Sequence, residues 1–450
     1  MKLSWKIKEI HNLNNAQEAS SMKYIDSYYS RTKSEQATSE SLSEQLSAEV
    51  CVIGGGLAGV STALGLAERG NSAVLLEANQ IGWGASGRNG GFVASGFSQN
   101  PLVLIDKLGL AHTKQLYTLT QKAYDLIQLR VRDAEAEIKS PTQGTVTASW
   151  FDDSDNLRDY IHTMNTEFGE SFEYWSKEKI NEMYLTSRYH CGYLEPDTSH
   201  FQSLNYTLHT AEMATNAGAR VFVQSPVTKV VGINSDSARW RISTPSGEVT
   251  ANHIVYACSG YIGSLQPKLS RATLPVATYV LLTEPLGKRL KTAIRAPYAV
   301  SDNRFSSNYY RTVQNEQLLW GGRVSMFHPS QQRLKKIMLK DLLSVYPQLQ
   351  GIRGEVAWGG YMGYARHKMP QLGQLKPGEW YCQGFGGHGM ATTTMGGELI
   401  ASAIANNDDT WQAFAPFGLD DVGKPFGPVI AQLAYWSYQI QDAIKSQLSR

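Results

Sequence analysis

Cysteine is scarce, with four in 450 residues. Cys51, Cys191, Cys258 and Cys382 stand far apart, with no CxxC and no Cys/His pair at metal-ligand spacing, so a zinc site is excluded and a reducing compartment is expected. His112, His162, His190, His200 and His209 share no ligand spacing either, and no metal is expected. An excess of one charge is also lacking: 42 Lys and Arg against 40 Asp and Glu leave a formal +2, which argues against a nucleic-acid surface. Long apolar runs are missing. None approaches the roughly 20 residues that cross a bilayer, and Leu274 to Leu282 suits a buried strand. The opening MKLSWKIKEIHNLNN never develops the apolar stretch of an export signal, so a soluble, cytoplasmic protein without a membrane partner is expected. Hydrolase chemistry has no support, because no SxxK, GxSxG or paired-carboxylate pattern stands in a suitable context.

What is present reads as globular. Apolar residues make up 42% and charged residues 18%, and the length suggests two domains. Residues 30 to 47, SRTKSEQATSESLSEQLS, are polar and read as a surface arm. From Val50 the pattern becomes strand (VCVI), glycine turn (GGGLAG), and a helix with Val60, Ala63, Leu64 and Ala67 on one face; Gly70 closes the helix, and a second strand (AVLL) ends at Glu77. Leu204 to Asn216 reads as a helix. The stretches around Val227, RWRIST and HIVYACSG read as an antiparallel flap returning to a buried strand at Ile254 to Ala257.

Gly54, Gly56 and Gly59 form GxGxxG, weak alone but here set between a strand and a helix and followed by Glu77, 18 positions beyond Gly59. Gly54 permits the turn, Gly56 lets a pyrophosphate reach backbone at Leu57 and Ala58, and Gly59 lets helix and strand pack. A carboxylate at Glu77, with Ala78 beside it, suits a ribose diol and repels a 2′-phosphate, so the guest is FAD or NAD. GWGASGRNGG, with five glycines between Gly82 and Gly91, favours FAD, because NAD needs no glycine-dense loop there. Gly84, Ala85, Gly90 and Gly91 make room for the chain and ring, while Ser86, Arg88 and Asn89 can donate to phosphate or flavin carbonyls. A second cluster, QGFGGHGM, reads as strand to Cys382, loop Gly384 to Gly389, then helix, its N-terminus aimed at flavin N1 and the C2 carbonyl.

The joined pair VIGGGLAGVSTALGLAERG and LLEANQIGWGASGRNGG, with PVATYVLLTEPL, NYYRTVQNEQLLWGGR, WGGYMGYARHKMPQLG and QGFGGHGM, resembles the FAD-dependent amine and amino-acid oxidases of the D-amino-acid, glycine and sarcosine oxidase type, nearest their bacterial gamma-glutamylputrescine oxidase branch. The resemblance runs from about Ser27 to Ala405. It implies an α/β fold in which a Rossmann-like FAD-binding domain is interleaved with a substrate domain built on an antiparallel β-sheet. The expected division is an N-terminal arm (1–46), FAD-binding parts at 47–100, 200–262 and 353–405, a helical segment with substrate parts at 101–199 and 263–352, and a helical extension (406–450). The implied reaction oxidises a CH–NH bond of a secondary or N-substituted amine of the gamma-glutamylputrescine kind, with hydride to flavin N5, imine hydrolysis, and reoxidation by O2 to H2O2.

The cofactor set implied adds Val227, Ser259, Gly260, Gly387, His388, Gly389 and Met390. Neither Cys nor His stands in the first glycine loop, and Ala365 and Arg366 lie where a flavin-linked Cys would be sought, so noncovalent FAD is expected. His367 replaces the Asp that many relatives carry before their C-terminal Pro-x-x-Gly. His388 is a candidate for proton transfer or ring contact. Tyr309, Tyr310, Trp358, Tyr361 and Tyr364 are expected around the substrate, and Arg311 and Arg366 as carboxylate clamps. The alternatives are an L-pipecolate or N-methyl amino-acid oxidase or dehydrogenase, an NAD-dependent dehydrogenase, and a flavin-bearing module without catalysis. Val429 to Ile444 reads as a helix docking on the body or a second subunit; oligomeric state is left open.

Overall fold

Two sheets and the helices covering them place the site. The computed structural model describes residues 23–35, 40–134, 138, 141–233, 239–305, 307–325, 329–424 and 427–448. The opening MKLSWKIKEIHNLNN lies outside the described residues.

In the first sheet the order is Gln371–Lys376, Glu379–Gln383, Glu248–Tyr256, Gln45–Ile53, Ala73–Leu76, Arg220–Phe222, and the last five strands run parallel. Val50 to Ile53 and Ala73 to Leu76 are buried at every position, as strands covered on both faces must be. The expected flap is present: Lys229–Gly232 and Trp240–Ser243 pair antiparallel and fold onto Glu248–Tyr256. Helices Leu57–Glu68, Ser203–Asn216 and Gly389–Asn406 pack together over the sheet, and Leu110–Asp133 lies against the last of them.

The second sheet runs Gly354–Tyr364, Leu274–Thr283, Gln317–Ser325, Tyr309–Val313, Ala299–Asp302, Thr142–Ser149, Cys191–His200, Phe92–Val93. It is antiparallel except where Ala299–Asp302 pairs parallel with Thr142–Ser149, so the sheet is mixed. Helix Gln331–Val345 covers its far face, with Trp320 and Tyr346 in a core of their own.

Three boundaries differ from the sequence reading. Gly354–Tyr364 pairs along its length with Leu274–Thr283 and belongs to the second sheet, not to an FAD-binding part at 353–405. Phe92–Val93 likewise joins the second sheet although it falls within 47–100. An apolar run announces a strand but not its partner. The stretch before Gln45 is not a free arm: Tyr28, Tyr29 and Leu42 are buried, Tyr24 Oη donates to the Ile81 carbonyl at 2.7 Å, and Trp83 Nε1 donates to the Lys23 carbonyl at 3.0 Å. No helix among the described residues is long and apolar enough to cross a membrane, and no cluster of metal-ligating side chains occurs among them.

Candidate active site

The strands of the first sheet end at Ile53, Leu76, Tyr256 and Gln383, and beyond those C-terminal edges the chain leaves a cavity of about 1650 Å3 that the second sheet roofs. This exceeds the roughly 300–1,000 Å3 of a single small-molecule site, so there is room for a cofactor and a substrate together.

The first cradle is the turn into Leu57–Glu68. Gly54 has φ +112°, and a Cβ there would stand 2.9 Å from the Ala257 carbonyl oxygen. At Gly59 a Cβ would lie 1.8 Å from the Gly54 carbonyl oxygen, so only glycine lets the helix approach the strand. Gly56 instead faces the cavity, with nothing but Ser86 Oγ near the place of a Cβ, at 3.3 Å. Glu77 accepts the Gly55 N–H at 2.6 Å and the Asn79 N–H at 2.7 Å, one on each oxygen, and lines the cavity. Burial raises its carboxyl above the usual range, against the pull of those amides.

The Gly82–Gly91 loop is a short 3-10 turn at Ala85–Gly87 with its polar side chains largely spent on itself. Asn89 Nδ2 donates to the carbonyls of Ala85 and Ser86, both at 3.0 Å, and its Oδ1 accepts the Gly91 N–H, so Asn89 shapes the loop and its amide donors are not free for a ligand. Ser86 Oγ accepts the Leu57 N–H at 2.8 Å and ties the loop to the first cradle. Arg88 lies 4.0 Å over the Trp83 ring, its Nε donates to the Trp83 carbonyl and its Nη1 to that of Gly359. Its Nη2 is buried with no hydrogen-bond partner among the described residues, a donor left over beside the cavity.

The second cradle forms at Gly384–Gly389. Gly384 and Gly386 have φ +75° and +63°, and a Cβ on Gly387 would meet Tyr364 Oη at 2.6 Å. The helix Gly389–Asn406 begins here and runs parallel to Leu57–Glu68: a Cβ at Gly397 would meet Ser61 Cβ at 2.7 Å, and one at Gly65 would meet Ala401 Cβ at 2.9 Å. Parallel packing at that separation brings both helix N-termini to one cavity, where Leu57, Ala58, Gly389 and Met390 all line the wall.

Of the residues nominated from sequence, Gly54, Gly56, Leu57, Ala58, Glu77, Ala78, Gly84, Ala85, Ser86, Arg88, Asn89, Gly90, Val227, Ser259, Gly260, Gly387, His388, Gly389 and Met390 line this cavity, as do Tyr309, Tyr361 and Tyr364. Gly59 and Gly384 shape the turns without facing it, and Gly91 is pressed against the Phe201 carbonyl, 2.2 Å from the place of a Cβ. Arg311 is no clamp: buried, it gives Nε to the Gly90 carbonyl at 2.7 Å and Nη2 to the Phe201 carbonyl at 2.9 Å and Tyr29 Oη at 3.2 Å. Arg366 is exposed and off the cavity. Tyr310 and Trp358 are buried in the cores, the latter donating Nε1 to the Arg88 carbonyl. His388 Nε2 sits 2.8 Å from the Ser95 carbonyl and 3.1 Å from that of Ala94, and burial holds the ring neutral, so it braces the loop and is poorly placed as a proton carrier.

Sequence reasoning missed a polar and aromatic extension of the cavity: Thr145 and Thr147, Tyr193 and Glu195, and Tyr117, Tyr160 and Phe172 from the helices and loop beside them. The alternation in CGYLEPDTSH, which sets Tyr193 and Glu195 on one strand face, was the available signal. The residues present fit FAD: Gly56 leaves the approach to backbone open, Glu77 stands at the end where a ribose is expected, and Arg88 Nη2 offers an unspent donor between the cradles.

A family model described as FAD dependent oxidoreductase matches residues 49–403. Gamma-glutamylputrescine oxidoreductase of Escherichia coli is 29% identical over 394 residues, covering 87% of this chain and 92% of that protein. Among solved structures, glycine oxidase from Bacillus cereus superposes with a TM-score of 0.66 at 19% identity, covering 81% of this chain and 96% of that one. L-proline dehydrogenase from P. horikoshii does so with a TM-score of 0.68 at 17% identity, covering 84% and 100%. With both cradles open on one cavity and the family match spanning most of its length, the chain belongs to the FAD-dependent oxidoreductases.

Proposed function

We propose that this enzyme oxidises the CH–NH bond of an elongated amine, gamma-glutamylputrescine or a close analogue, with dioxygen as electron acceptor. One observation carries the reading: beyond the two cradles the cavity continues along the face of the second sheet, past Tyr309 to Thr147 and Glu195, as a long chamber of tyrosines and hydroxyls. The gamma-glutamylputrescine oxidoreductase relative points to the same substrate class. In an N-acylated diamine the acylated nitrogen is an amide with a delocalised lone pair, so the reacting bond is the one at the free amine.

FAD, when bound, supplies the two-electron acceptor. The roles proposed for the chain's residues follow from their places. Gly54, Gly56, Leu57, Ala58, Glu77, Ala78 and Val227 would hold the adenosine and pyrophosphate end. Gly84 to Gly90, Ser259 and Gly260 would flank the middle, and Gly387, Gly389, Met390 and the backbone of His388 would face the ring. Tyr309 is wedged between two glycines: a Cβ on Gly90 would lie 2.6 Å from its ring, and one on Gly321 2.0 Å. Burial raises the phenols of Tyr309 and Tyr364, which therefore stay protonated through the working pH range and act as hydrogen-bond donors and apolar walls, not bases. Such walls disfavour the ammonium form of the amine and exclude water, which leaves the neutral amine required for oxidation.

Anaerobic mixing of the holoenzyme with gamma-glutamylputrescine, putrescine, L-pipecolate and sarcosine tests the reading. Bleaching of the flavin by the first, followed by peroxide on admitting air, is expected. Bleaching by L-pipecolate or sarcosine alone would replace it with the imino-acid alternative, and bleaching without peroxide would assign another acceptor.

A further inference from the structure

We infer that Glu195 is the anchor for a second positive charge on the substrate, carried at the far end of the chain from the oxidised carbon. The inference rests on the elongated-amine reading and names the group that selects for length and charge.

The register of the second sheet places Glu195. Gly321, Tyr309, Ser301, Thr147 and Tyr193 oppose one another in one row across successive strands, and Thr145 opposes Glu195 two positions along. Residues two apart share a strand face, so Glu195 looks into the same cavity as Tyr309. Three strand spacings separate Tyr309 from Tyr193, or about 14 Å between backbones. In gamma-glutamylputrescine the α-ammonium lies about nine bonds from the carbon beside the free amine, roughly 10 Å when extended. With side chains leaning inward from each end, the lengths match.

The surroundings of Glu195 suit a cation. Its Oε1 accepts the Thr147 hydroxyl at 2.8 Å, and Oε2 has no hydrogen-bond partner among the described residues. No Lys, Arg or His pairs with it among those residues, and the charged neighbour felt there is another carboxylate, Glu170. A carboxylate so enclosed without a cation is costly, and a ligand ammonium would offset that cost. The walls are aromatic: Phe172 stacks on Tyr193 with centroids 5.1 Å apart, and Tyr160 lies 5.9 Å from Tyr193. Ring faces beside a carboxylate are the combination that recognises an ammonium. The chamber is built by two separate parts of the chain, the sheet and the helices Leu110–Asp133 and Ser154–Phe168.

The test uses holoenzyme, N-(4-aminobutanoyl)putrescine, which carries the distal ammonium of the gamma-glutamyl compound without its α-carboxylate, and N-pentanoylputrescine, which keeps the amide and loses the distal charge. Wild-type enzyme is expected to prefer the first by about 10- to 100-fold in kcat/KM. Glu195→Gln should abolish that preference by raising KM for the charged substrate, with kcat and the kinetics of the neutral analogue little changed. Glu195→Asp should retain part of it. Thr147→Val, which keeps the carboxyl group and removes only the hydroxyl that stabilises its charge, should lose part of the preference and less of it than Glu195→Gln. Equal loss on both substrates in Glu195→Gln, or no loss on either, overturns the inference. Turnover of both by wild type without preference overturns it while the oxidase reading stands, and turnover of neither removes both.

Discussion

Arg311 shows how a buried cation can serve the site without entering it. Its guanidinium ties three chain segments together, the Gly90 turn, the Phe201 backbone and Tyr29 of the N-terminal helix, and Gly90 in turn limits where the Tyr309 ring can lie. Arg311→Met would leave two buried carbonyls without a donor, at ~1–3 kcal/mol each. The expected result is a melting temperature lower by several degrees with faster loss of FAD, read by calorimetry and flavin fluorescence; Arg311→Lys should not rescue it, since one ammonium cannot span the fork. Retention of wild-type stability in both variants would show that the fork is dispensable. Glu195 gives a pH dependence of definite sign. Burial pushes its carboxyl up to about 7, the Glu170 charge adds to that, and the Thr147 hydroxyl opposes it, with the phenols of Tyr160 and Tyr193 facing it uncharged. A carboxyl held above its unfolded value favours the fold below the ordinary carboxylate range, and that contribution is lost as pH rises through about 7. Without substrate, Glu195→Gln should therefore melt higher than wild type at pH 8 and nearly equal to it at about pH 4. The reverse order at pH 8 would mean that Glu195 has found a cation.

At the scale of elements, the site depends on two helices crossing closely enough that their N-termini share a cavity. A Cβ at Gly397 would stand 2.8 Å from the Thr62 nitrogen and 2.9 Å from the Ala58 carbonyl oxygen, both backbone atoms that cannot rotate aside. Gly397→Ala should push the helices apart and weaken FAD retention by tenfold or more, measured as the dissociation constant for FAD of the stripped protein; unchanged affinity would mean that the cradles are set independently. Much of this level was legible in the residues. GxGxxG after VCVI, with Glu77 closing the next strand, forces a particular turn, and QGFGGHGM before an apolar helix forces a second. What was not legible is pairing between distant segments. Nothing in Gly354–Tyr364 says that it joins Leu274–Thr283, and nothing local marks Ala299–Asp302 as parallel to Thr142–Ser149. The roles of Arg311, Asn89 and His388 were obscured for a related reason. Their side-chain chemistry suits a ligand, but carbonyls brought by the fold occupy it first.

At the scale of the molecule, the last helix adds to the cavity wall. The helix Gly427–Leu448 packs on the second sheet and the loops beside it: Tyr435 Oη accepts the Val324 N–H at 3.0 Å, Tyr438 stacks on Phe305 with centroids 4.5 Å apart, and Lys445 reaches toward Asp153 at 3.7 Å. Val429 itself lines the cavity beside Phe305, Arg323 and Val324. These contacts join the helix to the strand Gln317–Ser325 and to the loop before Tyr309, both of which contribute residues to the cavity wall. Removing residues 427–450 would wet the walls that keep the amine neutral, while both nucleotide cradles, built on the first sheet, would keep their backbone partners. The truncated holoenzyme should therefore bind FAD as the full chain does, yet show a higher KM and an activity optimum shifted to higher pH, because a better-hydrated amine loses its proton less readily. Loss of FAD on truncation would instead make the helix part of the cofactor fold, and an unchanged pH profile would show that desolvation is complete without it.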